Sequence, residues 1–410
     1  MQDIPNKTNI AIIGSGIAGV CVAYQLAQHG ADGIAVFEKE EIAGEATGLS
    51  GGSVRPDYLG NPEMIKAVKY GVDFYQNLAD EKNIKPLKGN LFLGYTDEME
   101  DLFQEKVRVL EKCGWNEEMV SKNKVKELFP HLNTEDVKSA MYGPDDIRFD
   151  NPYRITNLLA KKAQEKGVDV FTSTPIKGID RTNDHIQGIK VKAKSGEEKY
   201  IKTNYLVNCA GAWMKKINQM AGLDLPFYPI RTRFSVTDPI DEFDYIIPSI
   251  EGLVPPDQEP DFHEMWMHNE QKGLLFHADM YYEEIPDPDK MKSGFNSAYL
   301  AEIAEKIAYH FPDWIDKIKI KSNVAAKRSF AQDGLTGVGR SKEVSNFYYL
   351  GGGHGGFMQA PGLGLALAEL ILEGNYRTFD MAPWDIRRLT ERDYKGPPVD
   401  HLRCPRRIIY

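Results

Sequence analysis

The stretch from Asn9 to Glu38 limits the possible folds of this chain more than any other. Asn9-Ile10-Ala11-Ile12-Ile13 is a short apolar run of strand character, and Gly14-Ser15-Gly16-Ile17-Ala18-Gly19 follows it directly. Val20 to His29 then has helical periodicity, and a second strand-like run from Gly33 to Phe37 ends on Glu38. In such a unit Gly14 permits the tight strand-to-helix turn, Gly16 lets a pyrophosphate approach the backbone, and Gly19 lets the helix lie close on the strands. The helix N-terminus offers unpaired N–H groups and the positive end of its dipole to the phosphates. Glu38, nineteen residues beyond Gly19, is placed to accept from ribose hydroxyls, and an acid there argues against a 2′-phosphate. The unit therefore predicts a dinucleotide site, and not one for NADP.

A chain of 410 residues exceeds one ordinary core, so two domains, or one with a large insertion, are expected. Its 42% hydrophobic and 27% charged content is that of a soluble globular protein. The net charge of −10 argues against a nucleic-acid partner, which would want a basic face. No apolar run reaches the roughly 18 residues of a membrane helix, and the polar stretch Met1 to Thr8 leaves no room for a secretory signal. The four cysteines, Cys21, Cys113, Cys209 and Cys404, are scattered, which fits a reducing compartment without a disulfide framework or a zinc site. A cytoplasmic protein is the expectation.

Two more glycine clusters stand along the chain. One runs from Gly44 to Gly52, with Thr47 and Ser50 among its glycines, and the other from Gly351 to Gly356 around His354. Periodicity predicts helices over Met64–Glu81, Glu98–Gly114, Asn151–Gly167, Ala298–Tyr309 and Gly364–Glu373. Strands are expected at Val168–Phe171, in a hairpin of Ile186–Ala193 with Glu198–Ile201, at Tyr205–Cys209 and at Tyr348–Leu350. Leu225 to Lys290, rich in aromatics, prolines and acids, has the composition of a β-rich substrate domain. A nicotinamide dehydrogenase needs mainly the first glycine cluster, whereas a large flavin explains all three. The ADP half would lie on the first, the isoalloxazine against the second, and its pyrimidine edge on the N-terminus of the last helix.

These segments resemble the D-amino-acid oxidase-like superfamily of FAD enzymes, in particular its branch of sarcosine oxidase, glycine oxidase and proline dehydrogenase β-subunit. The resemblance covers almost the whole chain. It rests on Ile12 to Gly19 with Glu38, on Val207-Asn208-Cys209-Ala210-Gly211-Ala212-Trp213, on Asp333-Gly334-Leu335-Thr336-Gly337-Val338-Gly339, and on Gly351 to Gly364. It implies an α/β protein with an α+β substrate domain. A Rossmann-type FAD-binding domain of glutathione-reductase-like topology would be assembled from residues 1–81, 143–215 and 326–380. An inserted antiparallel-sheet substrate domain would take 82–142 and 216–325, and 381–410 would form a C-terminal extension. It further implies FAD contacts at Gly14, Ser15, Gly16, Ile17, Ala18, Gly19, Glu38, Lys39, Thr47, Gly48, Leu49, Ser50, Gly51 and Ile176. Ala210, Gly211, Trp213, Gly352, Gly353, His354, Gly355, Gly356, Phe357 and Met358 complete that set.

In the sarcosine-oxidase branch an arginine matching Arg55 sits beside the flavin and holds the substrate carboxylate, a task suited to a planar, permanently charged fork. Met358 matches a lysine that helps there, and a methionine cannot. Recognition of an acid would then rest on Arg55 with help from Arg231, Arg233 or Arg328. Leu275 aligns with a lysine that activates oxygen, which leans towards a dehydrogenase or a slow oxidase. Ala326 falls where the branch has a flavin-linked cysteine, and no histidine lies between His29 and His131, so noncovalent FAD is expected. His354, His268 and His277 are the catalytic candidates beside Arg55; His263, Tyr281 and Tyr282 are further pocket candidates.

The activity expected is oxidation of the C–N bond of a small amino acid or N-alkylated amino acid by hydride transfer to flavin N5. The alternatives are an FAD-dependent 2-hydroxy-acid dehydrogenase, which would use a histidine base, and a flavoprotein subunit of an electron-transfer complex docking through Asp393 to Tyr410. Partners would be the substrate, with no nucleic acid and no membrane span, and either a second copy of the chain or an electron acceptor.

Overall fold

The computed structural model describes residues 3–56, 61–81, 84–240, 247–253, 265–270, 273–277, 283–291 and 297–390, with backbone alone at 253, 265–270 and 283. The chain opens with β1 (Lys7–Ile13), α1 (Ile17–Gln28), β2 (Ile34–Phe37), β3 (Ser53–Val54), α2 (Pro62–Asp80) and β4 (Leu87–Gly94). Next come α3 (Asp97–Lys112), β5 (Glu118–Met119), α4 (Lys122–Leu128), β6 (Ser139–Arg148), α5 (Pro152–Glu165) and β7 (Asp169–Phe171). β8 (Ile176–Thr182), β9 (His185–Lys192), β10 (Glu198–Asn208), α6 (Met214–Met220) and β11 (Phe227–Thr237) lead into β12 (Ser249–Leu253), β13 (Met265–Glu270), β14 (Gly273–His277) and β15 (Glu283–Glu284). The chain then forms α7 (Ser297–His310), β16 (Ile320–Ala331), β17 (Gly337–Arg340), β18 (Phe347–Gly351) and α8 (Gly356–Glu373).

The helices begin where side chains can take up orphan N–H groups. Asn61 accepts from Glu63 N at 2.9 Å ahead of α2, Thr96 from Met99 N at 3.2 Å ahead of α3, and Asn151 from Arg154 N at 2.8 Å ahead of α5. Each such cap contributes about 1 kcal/mol. Two helices at the site, α1 and α8, lack a side-chain cap of this kind.

The strands form two sheets. In the first the order is β17-β18-β10-β1-β2-β7, with β9 paired to β10 and β8 to β9. The four pairings from β18 to β7 are parallel, and the others are antiparallel. Parallel strands need both faces covered. One core packs α1, α2, α5 and α8 on one face, and a second sets α6 and the β8–β9 hairpin against the other. The second sheet runs β15-β11-β14-β13-β12-β4-β6-β3, with β16 on β11 and β5 on β6. It is antiparallel apart from the β4–β12 pair. Its own core holds Phe129, Phe311 and Trp314 beneath α4 and α7.

This is the α/β architecture expected, with three differences in detail. The second arm of the expected hairpin and the buried strand at Tyr205 are one strand, β10, because Lys202 to Tyr205 keep pairing with β1 after β9 has ended. Helix α8 starts at Gly356, eight residues before the expected Gly364. Gly355, at φ +68°, supplies the left-handed turn into the helix, so the glycines that look like loop are its entry. Finally, β3, the end of β6 and the end of β16 pair in the second sheet, although the expected division gives those residues to the cofactor domain.

Candidate active site

Gly14 closes the β1–α1 turn at φ +99°, and a Cβ on it would come within 2.5 Å of the Cys209 carbonyl at the end of β10. A Cβ on Gly19 would lie 2.0 Å from the Gly14 carbonyl, so the helix sits against the turn as the sequence requires. Glu38 closes the loop from β2. Its carboxylate accepts from Ser15 N at 3.0 Å, Ser15 Oγ at 3.1 Å and Glu40 N at 2.9 Å. The N-terminal amide of Ile17 donates to Thr47 Oγ1 at 3.1 Å, which ties the second glycine cluster to the first.

Two adjoining cavities open here, sharing Gly16, Ala46, Thr47, Cys209 and Gly211. The larger, of about 490 Å³, is lined by Gly14, Gly16, Glu38, Lys39, Thr47, Ile176, Ala210, Gly211 and Trp213 from the expected cofactor set. Trp213 forms part of its wall. Lys39 Nζ lies 3.6 Å from the ring centroid, and the indole donates to Asp289 Oδ1 at 2.7 Å. Lys216 bonds Asp287 and Asp289, and Lys327 reaches Glu45 at 2.8 Å.

The smaller cavity, of about 240 Å³, is lined by Ile17, Ala18, Ser50, Gly51, Arg55, His277 and Gly352 to Met358, all foreseen from the sequence. Arg328, Leu275 and Ala326 also line it, joined by Glu251, Phe234 and Ser329. Ser15, Gly19, Gly48 and Leu49 line neither cavity: Ser15 and Gly19 brace the first turn, Gly48 packs on Ala43 and Tyr153, and Leu49 packs with Phe234, Leu275 and Ala326. Arg231 and Arg233 lie on β11 and line neither. His268 sits on β13 opposite Leu275, with its side chain outside the described residues. His263, Tyr281, Tyr282 and Asp393 to Tyr410 also lie outside them.

Arg55 follows β3 and is buried, as is Glu251 on β12. The two form an ion pair, and Arg55 Nη1 also donates to Asn90 Oδ1 at 3.2 Å. The register makes this geometry: β4 and β12 run side by side with Ser249 opposite Asn90 and Glu251 opposite Phe92, whose ring lies 5.4 Å below the guanidinium. Sequence reading missed Glu251, since a single acid in a β-rich stretch carries no motif. Arg328 stacks on Phe330 at 5.2 Å, and His277 on Phe234 at 4.7 Å. Burial first, then the charges of Arg328 and Arg55, hold the His354 imidazole well below its usual range, so it is neutral. Burial likewise pushes the Cys209 thiol far up, which leaves it inert. Among the described residues no group of acids, histidines and cysteines could hold a metal ion, and no helix is long and apolar enough to cross a membrane.

Residues 9–370 match the family model described as "FAD dependent oxidoreductase", DAO. The chain belongs to this family. The D-amino-acid oxidase-like resemblance is thereby secured. The rat protein named dimethylglycine dehydrogenase, mitochondrial, is 26% identical over 397 residues, which are 93% of this chain and 45% of that one. Mouse sarcosine dehydrogenase, mitochondrial, is 25% identical over 98% of this chain and 43% of its own. The chain thus spans less than half the length of these curated relatives. The crystal structure of L-proline dehydrogenase from P. horikoshii superposes with a TM-score of 0.84 at 26% identity, covering 94% of this chain and 99% of that one.

The residues present fit FAD. Helices α1 and α8 both turn their N-termini to the cavities and begin on glycines, Gly16 and Gly355, that carry no capping side chain, which suits them to phosphate and to a flavin edge. Gly211 and Gly356 line the cavity wall with open space where a Cβ would stand, as a surface that a flat ligand covers would require.

Proposed function

We propose that the larger cavity takes the ADP half of FAD, with Glu38 on the ribose, and that the smaller takes the isoalloxazine and the substrate. FAD, held noncovalently, would supply the hydride acceptor. Its noncovalent state is supported by the inert Cys209 and by Ala326, which offers no nucleophile. The substrate proposed is a small amino acid or N-alkylated amino acid, oxidised at its C–N bond to an imine that water then hydrolyses.

The observation that carries this reading is the convergence of two guanidiniums, Arg55 and Arg328, on a small cavity beside the glycine clusters. Guanidinium forks are suited to a carboxylate. Arg328, half-buried over the Phe330 ring, is the group best placed to take it, with Arg55 supporting from its pair with Glu251. Phe234, Leu275, Ala326 and Met358 give the remaining wall an apolar character suited to N-alkyl groups. The names of the relatives, which act on dimethylglycine, sarcosine and proline, agree with this class.

One observation favours a second reading. His277 and neutral His354 both line the cavity, and a neutral imidazole is the base that 2-hydroxy-acid oxidation needs. Anaerobic mixing with a panel of amino acids, N-methylamino acids and 2-hydroxy acids, read by flavin bleaching, decides between them. Bleaching by N-methylamino or amino acids alone supports the first reading, and bleaching by hydroxy acids alone overturns it.

A further inference from the structure

We propose that Arg388 is a positioning residue: from outside both cavities it fixes the turn at His354 and the N-terminus of α8, and through them the reduction potential of the flavin. This rests on the reading of the smaller cavity as the isoalloxazine site. Arg388 lies in a 3-10 turn, Ile386–Thr390, within the stretch expected from the sequence to be a C-terminal extension. Ile386 and Leu389 of that turn are buried in the core that packs α6 on the first sheet, which gives the turn a fixed base. The guanidinium makes a two-pronged fork with Asp333, Nε to Oδ2 at 2.6 Å and Nη2 to Oδ1 at 3.0 Å. Nη2 also donates to the Leu335 carbonyl at 2.8 Å, and Nη1 to the carbonyls of Trp384 at 2.7 Å and Asp385 at 3.1 Å. The Asp333 side chain is 0% exposed and that of Arg388 10%. A buried fork of this kind fixes direction as well as distance.

The loop between β16 and β17, which the fork holds at Asp333 and Leu335, passes this order on to the cavity. Gly334 O accepts from His354 N at 3.2 Å. Thr336 Oγ1 donates to Gln359 Oε1 at 3.1 Å, and Gln359 Nε2 donates to His354 O at 3.0 Å. Both backbone polar groups of His354 are thus tied to the loop, one directly and one through Gln359. A Cβ on Gly353 would lie 2.2 Å from Thr336 N, so the loop packs straight onto the third glycine cluster. Asp333, Thr336, Gln359 and Arg388 line neither of the two cavities, whereas Gly353, His354, Gly355 and Gly356 line the smaller. Gly356 is the first residue of α8, and the positive end of that helix favours negative charge on a ligand beside it. A flavin gains electrons on reduction, so a helix N-terminus held close to its ring favours the reduced form.

The test uses the FAD-loaded protein, with the flavin's potential measured by equilibration against a reference dye. Arg388→Ala should make the potential more negative, by roughly three- to tenfold in the reduction equilibrium, about 15–30 mV for two electrons. Arg388→Lys should recover part of the shift, since an ammonium meets Asp333 without reproducing the fork. Thr336→Val cuts the link to Gln359 and leaves the fork in place, so it should give a smaller shift of the same sign. Phe311→Leu, in the core of the second sheet, is the control for lost stability and should leave the potential unchanged. An Arg388→Ala protein with the parent's potential, or with one no more displaced than that of Phe311→Leu, overturns the proposal. If Arg388→Ala does not retain FAD, Thr336→Val decides by the same criterion. Gly356→Leu separates this failure from that of the cavity reading, because it puts a side chain into the open space on the smaller cavity's wall. Should it move the potential while Arg388→Ala does not, the clamp alone is wrong; should it change nothing, the flavin ring is not there and both readings fall.

Discussion

The phenol of Tyr75 donates a hydrogen bond of 2.8 Å to the carbonyl of Phe357, the acceptor in α8 whose intrahelical partner would be the missing N–H of Pro361. The two rings stack with centroids 4.8 Å apart and planes 5° from parallel. A proline inside a helix normally leaves that carbonyl unpaired. Here a side chain from α2 fills the gap in the first turns of the helix that borders the smaller cavity. Tyr75→Phe should keep the stacking and lose the bond, lowering stability by about 1–3 kcal/mol, the cost of an unpaired buried acceptor. Pro361→Ala placed on top should recover part of the loss by restoring the helical N–H. Urea denaturation of the two single variants and the double checks this, and additive losses would break the link between them.

Glu38→Ala should weaken FAD binding by roughly 10- to 100-fold, in line with the 1.5–3 kcal/mol of hydrogen bonds to a charged group. The carboxylate also holds Ser15 N and Oγ, so part of the effect comes through the first glycine turn. Turnover of the fully loaded variant should change little, because Glu38 lines the larger cavity and not the smaller one proposed for the substrate, and so contributes uniform binding. Fluorescence titration of the apoprotein with FAD measures the first quantity and saturated kcat the second.

The two arginines of the pocket should respond differently. Arg328→Ala should raise KM for a carboxylate-bearing substrate by an amount equivalent to about 2–5 kcal/mol, with little change in melting temperature. Arg55→Ala breaks a buried ion pair from one side, so about 3–5 kcal/mol of stability should be lost along with substrate affinity. Arg55→Lys should rescue only partly, since an ammonium cannot reproduce the fork. Paired KM and thermal-melt measurements separate the two residues, and a stable Arg55→Ala protein would contradict the ion pair.

His354 is neutral in the folded protein and has a depressed value there, against about 6.5 in the unfolded chain. Above that value both states are neutral and pH has no leverage through this group. As pH falls below it, the unfolded chain binds a proton that the folded one refuses, so stability declines by up to about 1.4 kcal/mol per pH unit. His354→Gln should flatten the decline between pH 6.5 and 5. Denaturant midpoints across that interval test it.

Much of this was legible in the sequence for identifiable reasons. The β1–α1–β2 unit has a local frame, in which Gly19 sits on the Gly14 carbonyl, β1 pairs with β2 and Glu38 accepts from Ser15, so Gly14, Gly16 and Glu38 fall where the pattern puts them. The resemblance points to Arg55 and Met358, and the place of His277 in the expected substrate domain points to it; all three line the smaller cavity. Glu251 was not reached, since it acquires meaning only from the β4–β12 register, which sets it beside Arg55 across nearly two hundred residues. The start of α8 is hidden in the sequence because glycine is a poor helix former whose compensation is tertiary: Gly355 turns the chain, and Tyr75 repairs the break at Pro361. Gly48 and Leu49 line neither cavity: a glycine-rich segment shows that a chain passes close to something, and not which face it presents.

The larger cavity draws its walls from Gly14 near one end of the chain, Thr47, Ile176, Trp213, Asp289 and Lys327. No contiguous fragment contains it. The ring around Trp213 closes only when Asp289 and Lys327, made long after the first glycine turn, have docked. Contacts of such sequence separation form late and slowly. Dinucleotide capture should therefore be among the last events of refolding. Once bound, the ligand would tie all these segments together, so that loss of FAD loosens the molecule as a whole and the melting temperature rises with free FAD concentration.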